Sequence, residues 1–195
     1  MSVLADWEIK YLAEKEGMIS PFQDHLVSEE NGQRILSYGL SSYGYDIRLS
    51  TKQCLIFGRT QSGDCDPKEF NKDILHPAEL LEDEKGQYFL LPPFGYCLGV
   101  AEEHLKLPRD ITVVAVGKST YARSGILVNI TPAEAGWKGH LTLEISNCTG
   151  LFNRIYANEG ITQLLFHRGS SCETSYQDRK GKYQNQTHKV VLAKV

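Results

Sequence analysis

From Tyr88 to Phe166 the chain is a series of short apolar or alternating runs, each closed by turn residues after a few positions. The runs are Tyr88 to Leu91, Tyr96 to Val100, Ile111 to Val116, Ile126 to Ile130, His140 to Ser146, Ile155 to Ala157 and Ile161 to Phe166. Strand-like runs at such short intervals favour an all-β barrel or sandwich over βαβ units. One helix is expected ahead of them, over Val3 to Glu16. Leu4, Trp7, Tyr11 and Leu12 fall at helical spacing there, Ile9 widens the stripe, Ser2 can cap the start and Gly17 can end it. The polar stretch from Gly58 to Pro77 reads as a long surface loop. A chain of 195 residues fits one domain and can bury a full core without staples.

A net charge of −3 gives no global basic field to hold nucleic acid, so any anion site must be local. The cysteines, Cys54, Cys65, Cys97, Cys148 and Cys172, are odd in number and include no Cys-x-x-Cys pair. They read as the reduced thiols of a cytosolic protein rather than a disulfide framework or a zinc knuckle. The N-terminus is polar from Asp6 onward, and no apolar run approaches the roughly 20 residues that span a bilayer. A cytoplasmic protein without membrane contact is expected.

Two stretches carry chemistry. Gly117-Lys118-Ser119-Thr120-Tyr121-Ala122-Arg123-Ser124-Gly125 gathers cations and hydroxyls between glycines after an apolar strand. Lys118 offers a point charge, Arg123 a planar fork, and Ser119 and Thr120 hydroxyl donors, which suits a triphosphate. The Walker spacing is absent, and a Lys-Ser-Thr turn taken alone is more often simply a turn. In the second stretch, Leu141, Leu143 and Ile145 share one strand face while Thr142, Glu144 and Ser146 share the other. A strand glutamate is ordinarily solvated. The small Thr142 and Ser146, however, leave room for a ligand beside this carboxylate. A phosphate cradle and an isolated strand glutamate together suggest chemistry on a nucleotide. The zinc-deaminase signature, His-x-Glu with Pro-Cys-x-x-Cys, is missing, as are the Gly-x-Ser-x-Gly elbow and the Rossmann fingerprint.

At these residues the chain resembles the dCTP deaminase family of the dUTPase-like trimeric superfamily. The likeness includes Gly17-Met18-Ile19-Ser20-Pro21-Phe22, Ser42-Tyr43-Gly44-Tyr45-Asp46-Ile47-Arg48-Leu49, the Gly117–Gly125 loop, Thr131-Pro132 and the Glu144 strand. It continues through Tyr156-Ala157-Asn158-Glu159-Gly160-Ile161-Thr162-Gln163, Glu173-Thr174-Ser175-Tyr176 and Gly181-Lys182-Tyr183-Gln184-Asn185-Gln186. The resemblance implies a mainly β fold, a distorted β-barrel or jelly roll with a short N-terminal helix. It also implies a homotrimer with active sites shared between subunits. The implied reaction is zinc-free hydrolysis of dCTP to dUTP and ammonia, supplying dUTP for dUMP and dTTP synthesis, with magnesium carried by the triphosphate. Glu144 falls at the family's catalytic glutamate, and Lys118, Ser119, Thr120, Tyr121, Ala122 and Arg123 fall on its triphosphate and active-site loop. Thr142, Leu143, Gln163, Tyr176 and Gln186 fall on other nucleotide contacts. Lys182 lies in the segment 176–195 that closes over the ligand. Lys118 stands where many members carry arginine, and Ala133-Glu134-Ala135-Gly136 replaces a loop that in some members holds a sugar-contacting aspartate. His140 and His167 have no assigned role.

In this reading Glu144 takes a proton from a water held near Ser119, Arg123 and a carbonyl of the Thr131-Pro132 turn. Partial burial between subunits would raise the Glu144 pKa and Arg123 would lower it. One alternative is a bifunctional deaminase and dUTP diphosphatase, for which Glu134 is the only carboxylate in the relevant loop. Another is a catalytically silent nucleotide-binding trimer, against which Glu144 and Arg123 both argue.

Overall fold

The structure is a computed structural model that describes residues 2–58 and 64–195. It opens with β1 (Ser2–Val3), α1 (Asp6–Glu16), β2 (Ile19–Ser20), β3 (Leu26–Glu30), β4 (Gln33–Ser41) and β5 (Gly44–Phe57). A 3₁₀ turn (Lys72–Ile74) leads into β6 (Leu75–Pro77), β7 (Leu80–Asp83), β8 (Gly86–Leu91), β9 (Tyr96–Lys106) and β10 (Ile111–Ala115). After α2 (Ser119–Arg123) come β11 (Ile126–Asn129), β12 (Lys138–Asn147), β13 (Asn153–Tyr156) and β14 (Gly160–Arg168). The fold is mainly β, as expected. An 11-stranded curled sheet runs through β1-β14-β5-β9-β12-β11, and β13-β8-β7 form a separate three-stranded sheet.

β5 turns the corner of the curl. Its first half pairs with β4 and β14, its second half with β9 and β6, and the register shifts between Leu49 and Cys54. A bulged strand bends in this way when it passes from one layer to the next. Arg48 sits just before the bend. Its backbone N–H and its Nε each donate to the Glu103 carboxylate at 2.8 Å, and Glu103 is wholly buried. The core between the layers includes Ile47, Leu49, Leu105, Ile111, Leu143, Ile145, Ile161 and Phe166.

The N-terminal helix is shorter than its apolar spacing suggests. Ser2 and Val3 pair with Arg168 and His167 of β14, so the chain is still a strand where the helix was expected to begin. Ala5 is the cap residue, and its N–H donates to the Glu8 carboxylate at 3.1 Å. Ser2 caps nothing. The buried stripe is Leu4, Ile9, Leu12 and Ala13, whereas Trp7 and Tyr11 face outward at 69% and 57% exposure. Gly17 does end the helix, in the left-handed conformation that glycine adopts without penalty.

Two stretches read as irregular carry regular structure. The polar segment contains the 3₁₀ turn and β6, with residues 59–63 lying outside the described residues. The Lys118–Gly125 loop contains α2. Strands β3, β4 and β5 were not expected at all. All five cysteines are free thiols. Among the described residues no helix is long and apolar enough to cross a membrane.

Candidate active site

β12 alternates as its sequence requires. Leu143 and Ile145 point into the core, while Thr142 and Glu144 face a cavity of about 770 Å³ on the other side; Leu141, at the register shift after His140, is buried but also borders that cavity. Burial pushes the Glu144 carboxyl up to about 7, and only its own backbone N–H opposes this. Its Oε2 is buried without a hydrogen-bond partner among the described residues. Of the two opposed influences expected on this carboxyl, desolvation acts within a single chain, where Arg123 stands outside the cavity. Such a group can take up and release a proton near neutral pH, as a general acid–base catalyst must. Thr131 and Pro132 line the same cavity.

The C-terminal segment forms one wall. Tyr176, Lys182, Tyr183, Gln186, Val191 and Ala193 all line the cavity. The segment is docked on β12 through its backbone. Asn185 N–H donates to Lys138 O at 2.8 Å, and His140 N–H donates to Gln186 O at 3.0 Å. Gly139 makes this approach possible, because a Cβ there would stand 2.6 Å from Gln186 N. Trp137 Nε1 donates to Tyr183 O at 2.8 Å. Thr142 Oγ1 donates to Gln186 Oε1 at 3.2 Å and accepts from Val191 N–H at 3.1 Å. His140, unassigned from sequence, stacks on His188 of this segment with ring centroids 4.2 Å apart. Lys182 Nζ donates to Lys194 O at 2.6 Å.

The basic loop lies elsewhere on the same chain. Lys118, Ser119 and Thr120 line a second cavity of about 410 Å³, together with Arg34, Glu29 and Ser37. Lys118 is already engaged there. Its ammonium donates to Asp46 Oδ2 at 2.5 Å and to Ser37 Oγ at 3.1 Å, and it is largely buried. Gln163 is tied to this region through its N–H to Gly117 O at 2.9 Å, while its side chain donates to Ser41 Oγ at 3.1 Å. Arg123 and Ala122 are exposed, and the Arg123 guanidinium makes no hydrogen bond or ion pair among the described residues.

The expected site residues thus fall into separate groups. The Glu144 cavity brings together Thr142, Glu144, Tyr176, Lys182 and Gln186, and the second cavity brings together Lys118, Ser119 and Thr120. Tyr121 and Leu143 turn their side chains into the core, so only their backbones are left for a ligand. The Tyr121 hydroxyl accepts from Tyr156 N–H at 2.8 Å, and burial raises its pKa. Sequence reasoning missed Phe57, Phe70 and Tyr96, which line the Glu144 cavity. It noted Glu134, another lining residue, but not its ion pair with Arg179. Alternation along β9 puts Tyr96 and Leu98 on one face and could have pointed to Tyr96, whereas nothing local marks Phe70. Among the described residues no group of three His, Cys, Asp or Glu side chains is placed to hold a metal ion.

The family model for dCTP deaminase-like proteins matches residues 3–169. A protein named dCTP deaminase from Stenotrophomonas maltophilia (strain R551-3) is 48% identical over 190 residues, covering 96% of each chain. Another so named, from Acidovorax sp. (strain JS42), is 45% identical over 195 residues and covers both chains completely. The solved structure of 2'-deoxycytidine 5'-triphosphate deaminase from Agrobacterium tumefaciens shares the fold, with a TM-score of 0.58 at 21% identity over 86% of this chain. The match spans 48% of that solved chain, about half its length. With the family model spanning most of the chain and relatives matching end to end, this chain belongs to the dCTP deaminase-like family.

Proposed function

We propose that the chain hydrolyses dCTP to dUTP and ammonia. The observation that carries this reading is Glu144, a carboxyl with a pKa of about 7 facing a cavity that can take a nucleotide. The names of the relatives support the substrate. Glu144, ionised, takes a proton from water, and the oxygen bonds to the ring carbon bearing the exocyclic amine. Glu144 returns that proton to the ring nitrogen and then carries the proton of the added hydroxyl to the amine, which leaves as ammonia while the carbonyl forms. A general acid–base group of this kind contributes about 10²–10⁴-fold, and the rest comes from orientation and stabilisation of the tetrahedral centre. The Thr131-Pro132 turn lines the cavity where a carbonyl would hold the attacking water. The magnesium belongs to the substrate, arriving with the triphosphate. The dUTP formed would feed dUMP and dTTP synthesis in the cytoplasm.

The site is completed between copies. Ser119 and Arg123 stand away from the Glu144 cavity of their own chain, so in this reading a neighbouring copy supplies them within a homotrimer. The C-terminal segment serves as the closing wall, with Lys182 turning from Lys194 O to phosphate. Release of pyrophosphate from dUTP would need a free carboxylate in the 133–136 loop, and Arg179 already pairs with Glu134 there. Incubation with dCTP and magnesium, following ammonia and pyrophosphate separately, tests the reading. Ammonia without pyrophosphate is expected; no ammonia would overturn deamination, and dUMP as product would make the enzyme bifunctional.

A further inference from the structure

The face of the sheet that carries Glu144 is more apolar than an outer face should be. Directly paired strand residues share a face. Glu144 pairs with Leu98 and Ser146 with Tyr96, while β5 places Leu55 against Leu98. Phe57, two residues after Leu55, meets Tyr96 edge to face with ring centroids 5.2 Å apart. The opposite face, with Ile145, Cys97 and Ile56, packs on the core. A solvated sheet face alternates to polar residues. Leu98, Tyr96 and Phe57 break that rule, so this face requires a cover.

On this edge the cover is Phe70. Residues 64–69 are all exposed, and Phe70 is the first to turn inward. Its ring sits edge to face on Phe57, with centroids 6.2 Å apart, and lines the cavity of Glu144. The chain on its C-terminal side is pinned. Asn71 Oδ1 accepts from Asp73 N–H at 2.9 Å to cap the 3₁₀ turn, and β6 then pairs with β5, placing Leu75 opposite Phe57. Phe70 is thereby fastened to the strand whose aromatic ring it covers.

We propose that Phe70 is a positioning residue of this site: it completes the aromatic wall Tyr96–Phe57–Phe70 and keeps water from the Glu144 carboxyl. Its catalytic consequence rests on the deaminase reading above. The other titratable groups facing the cavity are Tyr96 from β9, Glu134 from the loop before β12, and Tyr176, Lys182 and Tyr183 from the C-terminal segment. Glu134 is tied to Arg179 and Lys182 to a backbone carbonyl. β11 sets the neutral Asn129 opposite Glu144. Within one chain the raised pKa of Glu144 follows from burial and not from a neighbouring charge, so it depends on the apolar cover; in the proposed trimer Arg123 of a neighbouring copy would lower it in wild type and Phe70 variants alike.

The test reads Glu144 directly. Carboxyl titration by ¹³C NMR of Glu-labelled protein, with Glu144→Gln to assign the signal, gives its midpoint without reference to turnover. Phe70→Ser is expected to lower that midpoint by about one pH unit, and Phe70→Leu, which keeps apolar bulk, to leave it near the wild-type value. The acidic limb of kcat/KM for dCTP should move down with it in Phe70→Ser. Phe70→Ala gives the same reading should the serine variant fail to fold. An unmoved midpoint in the serine or alanine variant overturns the proposal, as does an equal fall in Phe70→Leu. A wild-type protein without deaminase activity would overturn the proposed function, while the titration would still decide the role of Phe70.

Discussion

Glu144 is where local sequence and tertiary burial meet. Alternation along β12 placed it opposite the core face, and that much could be read from Leu141, Leu143 and Ile145. Its dryness could not, because the residues that exclude water come from β5, β9, the segment around Phe70 and the C-terminus. Glu144→Gln keeps shape but accepts no proton, so deamination should fall by at least about 10²-fold while dCTP still binds. Near-normal turnover would remove Glu144 from the chemistry. The same substitution has a signature in stability. The folded-state pKa of about 7 stands above the ordinary 4.5, so the native state holds the proton more tightly than the unfolded chain. Stability from this group is full below pH 4.5 and is lost as pH rises through 7. The Tm of Glu144→Gln should therefore exceed that of wild type at pH 8, with the gap closing towards pH 5; a gap independent of pH would contradict the burial argument. Lys118 shows the opposite limit of legibility. Its cationic character was plain, but its partner Asp46 lies 72 positions away in sequence and becomes a neighbour only because β5 runs beside β14.

At the scale of elements, the strands most easily read were those whose faces differ in character. β5 escaped because its first half is buried on both faces and its second half, past the register shift, is largely half-buried, which leaves no clean alternation. The corner it makes is stabilised by Arg48 and Glu103, and Glu103→Ala would leave the Arg48 charge buried without its partner. A loss of about 3–5 kcal/mol is expected, measured as a lower urea midpoint, whereas a loss within error would mean that water reaches Arg48. α2 was not legible because a five-residue helix carries too few turns for periodicity to register. The polar, glycine-containing stretch before the apolar Val190, Val191 and Leu192 reads, from sequence, as a chain unlikely to stay ordered by itself. Its order comes instead from backbone hydrogen bonds to Lys138 and His140 and from the Trp137 indole, none of which leaves a mark on composition. Truncation after Ser175 removes a wall of the Glu144 cavity and should weaken dCTP binding and slow turnover without dispersing the proposed trimer. Nucleotide should also protect the Asp178–Gln186 stretch from protease. Unchanged binding by the truncated chain would make this segment a structural end and not part of the site.

At the scale of the whole molecule, the residues expected to act together are divided within one chain: Lys118, Ser119 and Thr120 line a different cavity from Glu144, and Arg123 stands exposed outside both. The family resemblance already implied sites shared between subunits, with the Glu144 face and the Lys118–Arg123 loop on different chains, but which residues line which cavity is a property of the folded surface. Chains carrying Arg123→Ala and chains carrying Glu144→Gln should each be inactive alone and regain part of the wild-type rate when dissociated and reassembled together. No recovery despite demonstrated subunit exchange would place both residues in a single chain's site. A further consequence follows from two half-sites on one surface. If catalysis needs both, specific activity obeys mass action: diluted below the dissociation constant of the assembly, the protein would fall silent while each chain kept its fold, and saturating nucleotide, by bridging the halves, would restore the rate.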